Sequence, residues 1–281
     1  MAKFSTDISE KDLQQIAQAK HILENPGWMM KAANSFGSPL ESLGKKVPVK
    51  LQTKLQATIE KTLKKIIQAN LVTIKEGKEF SKPKNALYKG VVGASGGLSG
   101  VLGSTTGIGT AAFVGDLVIS TKFMMRSIMD IARSHGEDLH KLETQLACME
   151  VFALGGTSEE DDGVETSYYA TRYALAAALG QMNKSALNTV LSLAMGYTNT
   201  LGMNAINKFV AMIAGRFSTV ALEKFIAQSI PVLGGAGGAG INVLFINHFQ
   251  KMADAHFTIR KMERKYGGEK VKAAFSKGLT K

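Results

Sequence analysis

One cysteine, one tryptophan and five prolines stand among 281 residues, and aromatic residues make up 7% of the chain. Cys148 alone cannot form an internal disulfide, which excludes a disulfide-stapled scaffold and fits a reducing compartment. The N-terminal run Met1-Ala-Lys-Phe-Ser-Thr-Asp7 has no apolar core of a secretory signal, so the cytoplasm is the expected location. No segment sustains the apolar–polar alternation of a half-buried strand. There is no Walker A motif, no H-E-x-x-H and no paired-cysteine spacing, so no cofactor and no metal are expected. The basic stretches lack interleaved aromatics and any reader motif, which disfavours nucleic acid as a partner.

Charge is missing from two long stretches. Residues 90–115 contain no charged side chain and nine glycines, and residues 225–248 are likewise uncharged. In the first, Gly93, Gly97, Gly100, Gly103 and Gly107 fall three or four apart, which on a helix makes one stripe without side chains. In the second, Pro231 is followed by a run that includes Gly234, Gly237 and Gly238. Exposed helices avoid glycine, at about 1 kcal/mol per residue relative to alanine, whereas a small-residue stripe lets a second backbone come close. A membrane span needs about 20 predominantly apolar residues. These stretches are long enough but diluted by Gly, Ser, Thr, Asn and Gln. A close-packed core helix, a spanning hairpin and a conditionally inserting segment therefore all remain open.

The net charge of +11 flanks those stretches. Residues 41–90 carry twelve lysines against four glutamates, and residues 251–281 carry nine basic against three acidic residues. Lys45, Lys46, Lys50, Lys54, Lys61, Lys64 and Lys65 are the candidates for docking on anionic lipid, where each contributes about 1 kcal/mol. A solvated, solubilising surface is the plainer reading of the same lysines.

Periodicity predicts an all-α chain of eight to ten helices. Ser9 caps a helix to Glu24, which Asn25-Pro26-Gly27 stops. An amphipathic helix runs over about 50–75, with Leu51, Leu55, Ile59, Leu63, Ile66 and Ile67 on one side. The glycine stripe leads into an apolar segment over 116–134, and Gly136 ends it. Asp138 then caps a helix over 139–154. After an acidic loop, helical stretches follow at about 164–182, 185–196 and 199–227, and a last amphipathic helix over 241–266 leads into a Lys-rich tail. The fold class is a multi-helix globular bundle with glycine-rich, tightly packed central helices. It divides into an N-terminal helix and loop (1–49), a helical domain (50–267) and a basic tail (268–281).

The run Gly115-Asp-Leu-Val-Ile-Ser-Thr-Lys-Phe-Met-Met-Arg-Ser-Ile-Met-Asp-Ile-Ala-Arg133 resembles the signature helix of the bacterial EcsC family. Gly136-Glu-Asp-Leu139, Glu150-Val-Phe-Ala-Leu-Gly-Gly156, Ile230–Asn242, His248–Arg260 and Glu263-Arg-Lys-Tyr-Gly267 continue the likeness across residues 50–267. The resemblance implies a helical fold and a bacterial source. The family is named for a protein encoded beside an ABC transporter, which implies a setting at a membrane but supplies no reaction. The family's motif positions here include Asp116, Arg126, Asp130, Arg133, Glu137, Asp138, His248, His256, Arg260 and Glu263.

Glu150 joins these as a candidate of the polar cluster. Arg126, Asp130 and Arg133 share a face and can pair. The helix that bears them is apolar nearly all round, which predicts burial, and buried charges must be paired. The reading is either a register-fixing ion-pair network or a site for a headgroup or partner. His248 and His256 are eight apart, about 12 Å along a helix, so they cannot share a metal without a third group such as Asp130 or Glu150. A hydrogen-bonded core histidine is the plainer identity for His256. Gly93-Ala-Ser-Gly-Gly97 and Gly235–Gly240 fit G-x-S-x-G and G-x-G-x-x-G, but neither has the strand that those motifs require.

Three functional classes follow. The leading expectation is a non-enzymatic protein at the cytoplasmic face of the inner membrane, binding anionic lipid or a membrane transport or secretion complex. The others are a soluble helical interaction module and a metal-dependent hydrolase.

Overall fold

The computed structural model describes residues 7–25, 49–73, 82–101, 107–154, 168–179, 200–228 and 234–277, and these contain nine helices and no strand. In chain order they are α1 (Glu10–Glu24), α2 (Val49–Thr73), α3 (Asn85–Val101), α4 (Gly107–Ser134), α5 (Leu142–Leu154), α6 (Tyr168–Leu179), α7 (Thr200–Gln228), α8 (Gly234–Tyr266) and α9 (Gly268–Lys277). The bundle is the all-α architecture that the periodicity predicts. The stretch 185–196, the acidic loop, Gly103, Pro231, Lys45 and Lys46 lie outside the described residues.

α8 is the axis of the bundle. It packs along α3 most extensively and also touches α1, α4, α5, α7 and α9. Its sequence explains this: Ile241, Phe245, Ile246, Phe249, Met252, Ala253, His256, Phe257 and Ile259 are all buried, covering a broad arc rather than one stripe. Phe152 of α5, Phe217 of α7 and Phe249 form a triangle of rings with centroids 4.9 to 5.5 Å apart, within the range of favourable aromatic pairs. α5 buries ten of its residues and is the most enclosed segment, with Cys148 at its centre. Burial pushes the Cys148 thiol far above its ordinary value, so it stays neutral and packs as a small apolar group.

Local signals place the ends. Ser9 Oγ accepts a hydrogen bond from Asp12 N at 3.3 Å and caps α1. Gly136 closes α4 with φ of 79°, and Asp138 Oδ1 accepts from His140 N at 3.0 Å in the turn before α5. α5 accordingly starts at Leu142 rather than at 139.

Four differences from the sequence reading have physical reasons. α8 begins at Gly234, so the glycine run is helix rather than a break. α3 packs closely beside the end of that run: a Cβ on Gly93 of α3 would lie 3.0 Å from Val243 Cγ2 of α8 and 3.8 Å from Ala239 O. The first glycine stripe is shared between two helices, with Gly93, Gly97 and Gly100 on α3 and Gly107 opening α4. α4 is not buried all round: Ala111, Gly115, Ile119, Lys122 and Arg126 form an exposed stripe at helical spacing, with Ile119 44% exposed. Finally, residues 268–277 fold as α9, because Val271 and Phe275 are four apart and reach the core beside Tyr168 and Tyr169.

Candidate functional site

Charged side chains gather in three places, each held by different helices. The first lies where α3, α4, α7 and α8 meet. Lys224 Nζ of α7 is fully buried and donates to Asp116 Oδ2 of α4 at 2.6 Å. Asp116 Oδ1 accepts from Ser95 Oγ at 2.7 Å, from Asn242 Nδ2 at 2.8 Å and from Ser120 Oγ at 3.3 Å. Asn242 Nδ2 also reaches Val92 O at 2.7 Å, and its Oδ1 accepts from Gln228 Nε2 at 3.1 Å. The Lys224 ammonium lies 4.8 Å from the Phe245 ring centroid. Burial alone would raise the Asp116 carboxyl, but Lys224 and the donors from Ser95 and Asn242 hold it below its usual range. The carboxylate is charged and fully satisfied. This centre ties four helices into one register.

Sequence reasoning found Asp116 and missed Lys224, Ser95 and Asn242. The signal existed: Phe217, Val220, Ala221, Lys224 and Gln228 keep one buried stripe on α7, which puts a lysine at a core position. Ser95 sits in the G-x-S-x-G match, which lies wholly inside helix α3 and makes no nucleophile turn. The G-x-G-x-x-G match is likewise helical, inside α8.

The second place is a cleft of about 460 Å³ between the α4–α5 turn, α6 and α8. Arg260 Nε donates to Glu137 Oε1 at 2.8 Å, Arg264 also pairs with Glu137, and Arg260 Nη2 reaches Glu143 Oε1 at 3.1 Å. Burial alone would raise the Glu137 carboxyl, but the two arginines hold it below its usual range. Arg172 of α6 clamps Glu263 with two bonds of 2.7 and 3.1 Å. Beneath them His256 Nδ1 contacts Tyr168 OH at 2.9 Å. Its Nε2 lies 3.8 Å from Glu150 Oε2, too far for a direct bond, and both atoms are buried without a hydrogen-bond partner. Burial pushes the Glu150 carboxyl up to about 7, against the opposing charges of Arg172 and Arg260. Burial and those same arginines hold His256 neutral, well below its usual value. The structure thus brings Glu137, Glu150, His256, Arg260 and Glu263 together, with Asp138 at the rim, and adds Arg172 and Tyr168, which the sequence reading did not single out.

The other candidates lie elsewhere. Asp130 pairs with Arg133 at 2.8 Å and accepts from Tyr88 OH at 3.3 Å, whereas Arg126 is exposed on the outer stripe of α4. His248 packs against the Phe249 ring. Among the described residues no three His, Cys, Asp or Glu side chains converge as a metal site.

The third place is the outer face of α2. Leu51, Leu55, Ile59, Thr62, Leu63 and Ile66 are buried. Steps of about 100° per residue put Lys50, Lys54, Lys61, Lys64 and Lys65 in one arc opposite that stripe, about 100° wide. Among the described residues no ion pair engages any of the five lysines; Lys50, Lys54, Lys61 and Lys65 are exposed and Lys64 is half-buried. Gly97, Gly100, Gly107, Gly234 and Gly237 lie in helices α3, α4 and α8, and Gly238 is buried. No described helix is long and apolar enough to cross a membrane.

The pattern that defines the EcsC protein family matches residues 10–262. No curated protein and no solved structure matches the chain. The matched span runs from the first residue of α1 to Met262 near the end of α8, and takes in the three charged regions except Glu263 and Arg264. On that match the chain belongs to the EcsC protein family.

Proposed function

We propose that the protein docks on an anionic membrane surface at the cytoplasmic face, through the lysine arc of α2, without spanning the bilayer. The observation that carries this reading is the contrast within α2: one side is sealed into the core, and the opposite side presents five lysines that no carboxylate pairs with among the described residues. Exposed lysines of one sign on a rigid helix attract an anionic lipid surface, and the attraction fades with salt. The polar centres inside the bundle are the frame that keeps α2 in place, and no chemical step is assigned to them.

Co-flotation with vesicles tests the reading. The protein is expected to float with phosphatidylglycerol vesicles at low salt, to be released at high salt, and to ignore phosphatidylcholine vesicles. Indifference to every composition would defeat the proposal and turn the search to acidic protein partners. Flotation that resists high salt would also defeat it, because it would mean insertion rather than electrostatic docking.

A further inference from the structure

α4 carries an outward stripe of its own beside α2. Ala111, Gly115, Ile119, Lys122 and Arg126 recur at three- and four-residue spacing and are exposed, Ile119 by 44%. The two carboxylates of α4 are engaged elsewhere: Asp116 meets Lys224 at 2.6 Å, and Asp130 meets Arg133 at 2.8 Å. Among the described residues no ion pair engages Lys122 or Arg126. The stripe therefore presents two cations one turn apart, with an exposed isoleucine a turn before them.

The neighbouring helices fix where this stripe lies. α3 covers one flank of α4, through Ser95 Oγ to Asp116 Oδ1 at 2.7 Å and Tyr88 OH to Asp130 Oδ2 at 3.3 Å. α2 packs against both α4 and α7. Its α7 side is the flank of Gln52 and Gln56, which face α7 across a groove of about 750 Å³. α4 therefore meets α2 from the other flank. Helical steps of about 100° put Lys54 and Lys65 at the edge of the lysine arc on that α4 side. The lysine arc and the α4 stripe are thus adjacent parts of one outer surface. The single carboxylate of α2, Glu60, is half-buried and falls on the groove flank, outside that surface.

We propose that the stripe of α4 is a second contact with the anionic bilayer, in which Lys122 and Arg126 take lipid phosphates and Ile119 dips among the headgroups. Interfacial helices bind in this way, with cations on the phosphate layer and an apolar side chain reaching the hydrocarbon just beneath it. The inference rests on docking through α2 and adds its orientation: α2 and α4 lie side by side on the membrane. One isoleucine offers too little apolar area to hold the protein there against high salt, so release by salt is unaffected.

The test uses the full chain on phosphatidylglycerol vesicles at low salt, with phosphatidylcholine vesicles as comparator. Lys122→Gln together with Arg126→Gln is expected to weaken binding by about thirtyfold, the order that two surface cations contribute, with Tm unchanged. Ile119→Cys carrying a polarity-sensitive nitrobenzoxadiazole label is expected to brighten and shift to the blue on the anionic vesicles only. Cys148 is fully buried and takes no label. The same label at Lys251→Cys, exposed on α8, is expected to stay silent. Unchanged affinity of the double variant, or a label that responds no more at Ile119→Cys than at Lys251→Cys, would overturn the proposal. Its failure is separable from that of docking through α2. An unaltered chain that ignores phosphatidylglycerol sinks both, whereas flotation of the unaltered chain with either of those two results sinks the α4 contact alone.

Discussion

Inside the bundle and on α2 the same kind of charge is treated in opposite ways. Lys224 is fully buried and meets Asp116 at 2.6 Å, and Arg172 and Arg260 each meet a glutamate at 2.8 Å or less. On α2 five lysines share one face, and among the described residues none of them is held in an ion pair. Desolvation explains the first treatment: a cation removed from water without a partner costs several kcal/mol, so it exists in the core only when paired. The second has no such constraint, since exposed lysines are stable unpaired. Interior charge therefore reports how the fold is held, and the unpaired outer charge is what remains available to a partner.

Breaking the interior side gives the largest effect. Lys224→Met or Asp116→Asn leaves one buried charge uncompensated and is expected to lower unfolding free energy by about 3–5 kcal/mol in denaturant titrations. The double variant Lys224→Met with Asp116→Asn removes both charges and keeps an acceptor for Ser95 and Asn242. It is expected to recover much of the loss, and a strictly additive pair would contradict the paired account.

Glu150 sharpens the comparison, because it is an interior charge left without a hydrogen-bond partner at one oxygen. Its folded pKa, about 7, lies above the ordinary 4.5. Between those values the folded state holds a proton that the unfolded state has released, so stability falls as pH rises through that window and then levels off. Glu150→Gln removes the penalty. The variant should match the parent near pH 4 and exceed it at pH 8, by at most about 3 kcal/mol. Glu223, raised to about 7 by burial alone, adds a fall in the same window. Asp12 contributes with the opposite sign. Its hydrogen bonds from Lys265 and Tyr266 lower it to about 2, so that contribution is present above the ordinary carboxylate range and lost as pH falls towards 2. Thermal unfolding followed from pH 2 to 8 separates the two windows.

Gly215→Ala probes the glycines by the same logic of burial. Nothing lies within 4 Å of its Cβ, so the variant is expected to gain up to about 1 kcal/mol from helix propensity. Gly93→Ala must instead displace Val243 at 3.0 Å and should lose stability.

Much of this was legible in the residues. The apolar stripes of α1 and α2 and the Gly136 stop follow from local periodicity and capping. Periodicity predicts a last helix that begins at 241, because propensity disfavours the glycines before it, whereas α8 extends back to Gly234 and packs along α3. Arg126 and Asp130 read as partners from spacing, yet the tertiary position of α4 turns Arg126 to solvent and gives Asp130 to Arg133 and Tyr88. The Asp116–Lys224 pair spans 108 positions of sequence, and no local pattern encodes such a contact. The nearness of Glu150 to His256 depends in the same way on how α5 and α8 pack.

The most direct test of the contrast is to neutralise the outer face alone. Lys50, Lys54, Lys61, Lys64 and Lys65 are changed together to Gln, and unfolding and binding to phosphatidylglycerol vesicles are measured on the same preparation. The unfolding midpoint is expected to stay close to that of the parent, while binding falls by about a thousandfold or more, at about 1 kcal/mol per lysine. Undiminished vesicle binding with the fold intact would contradict the account.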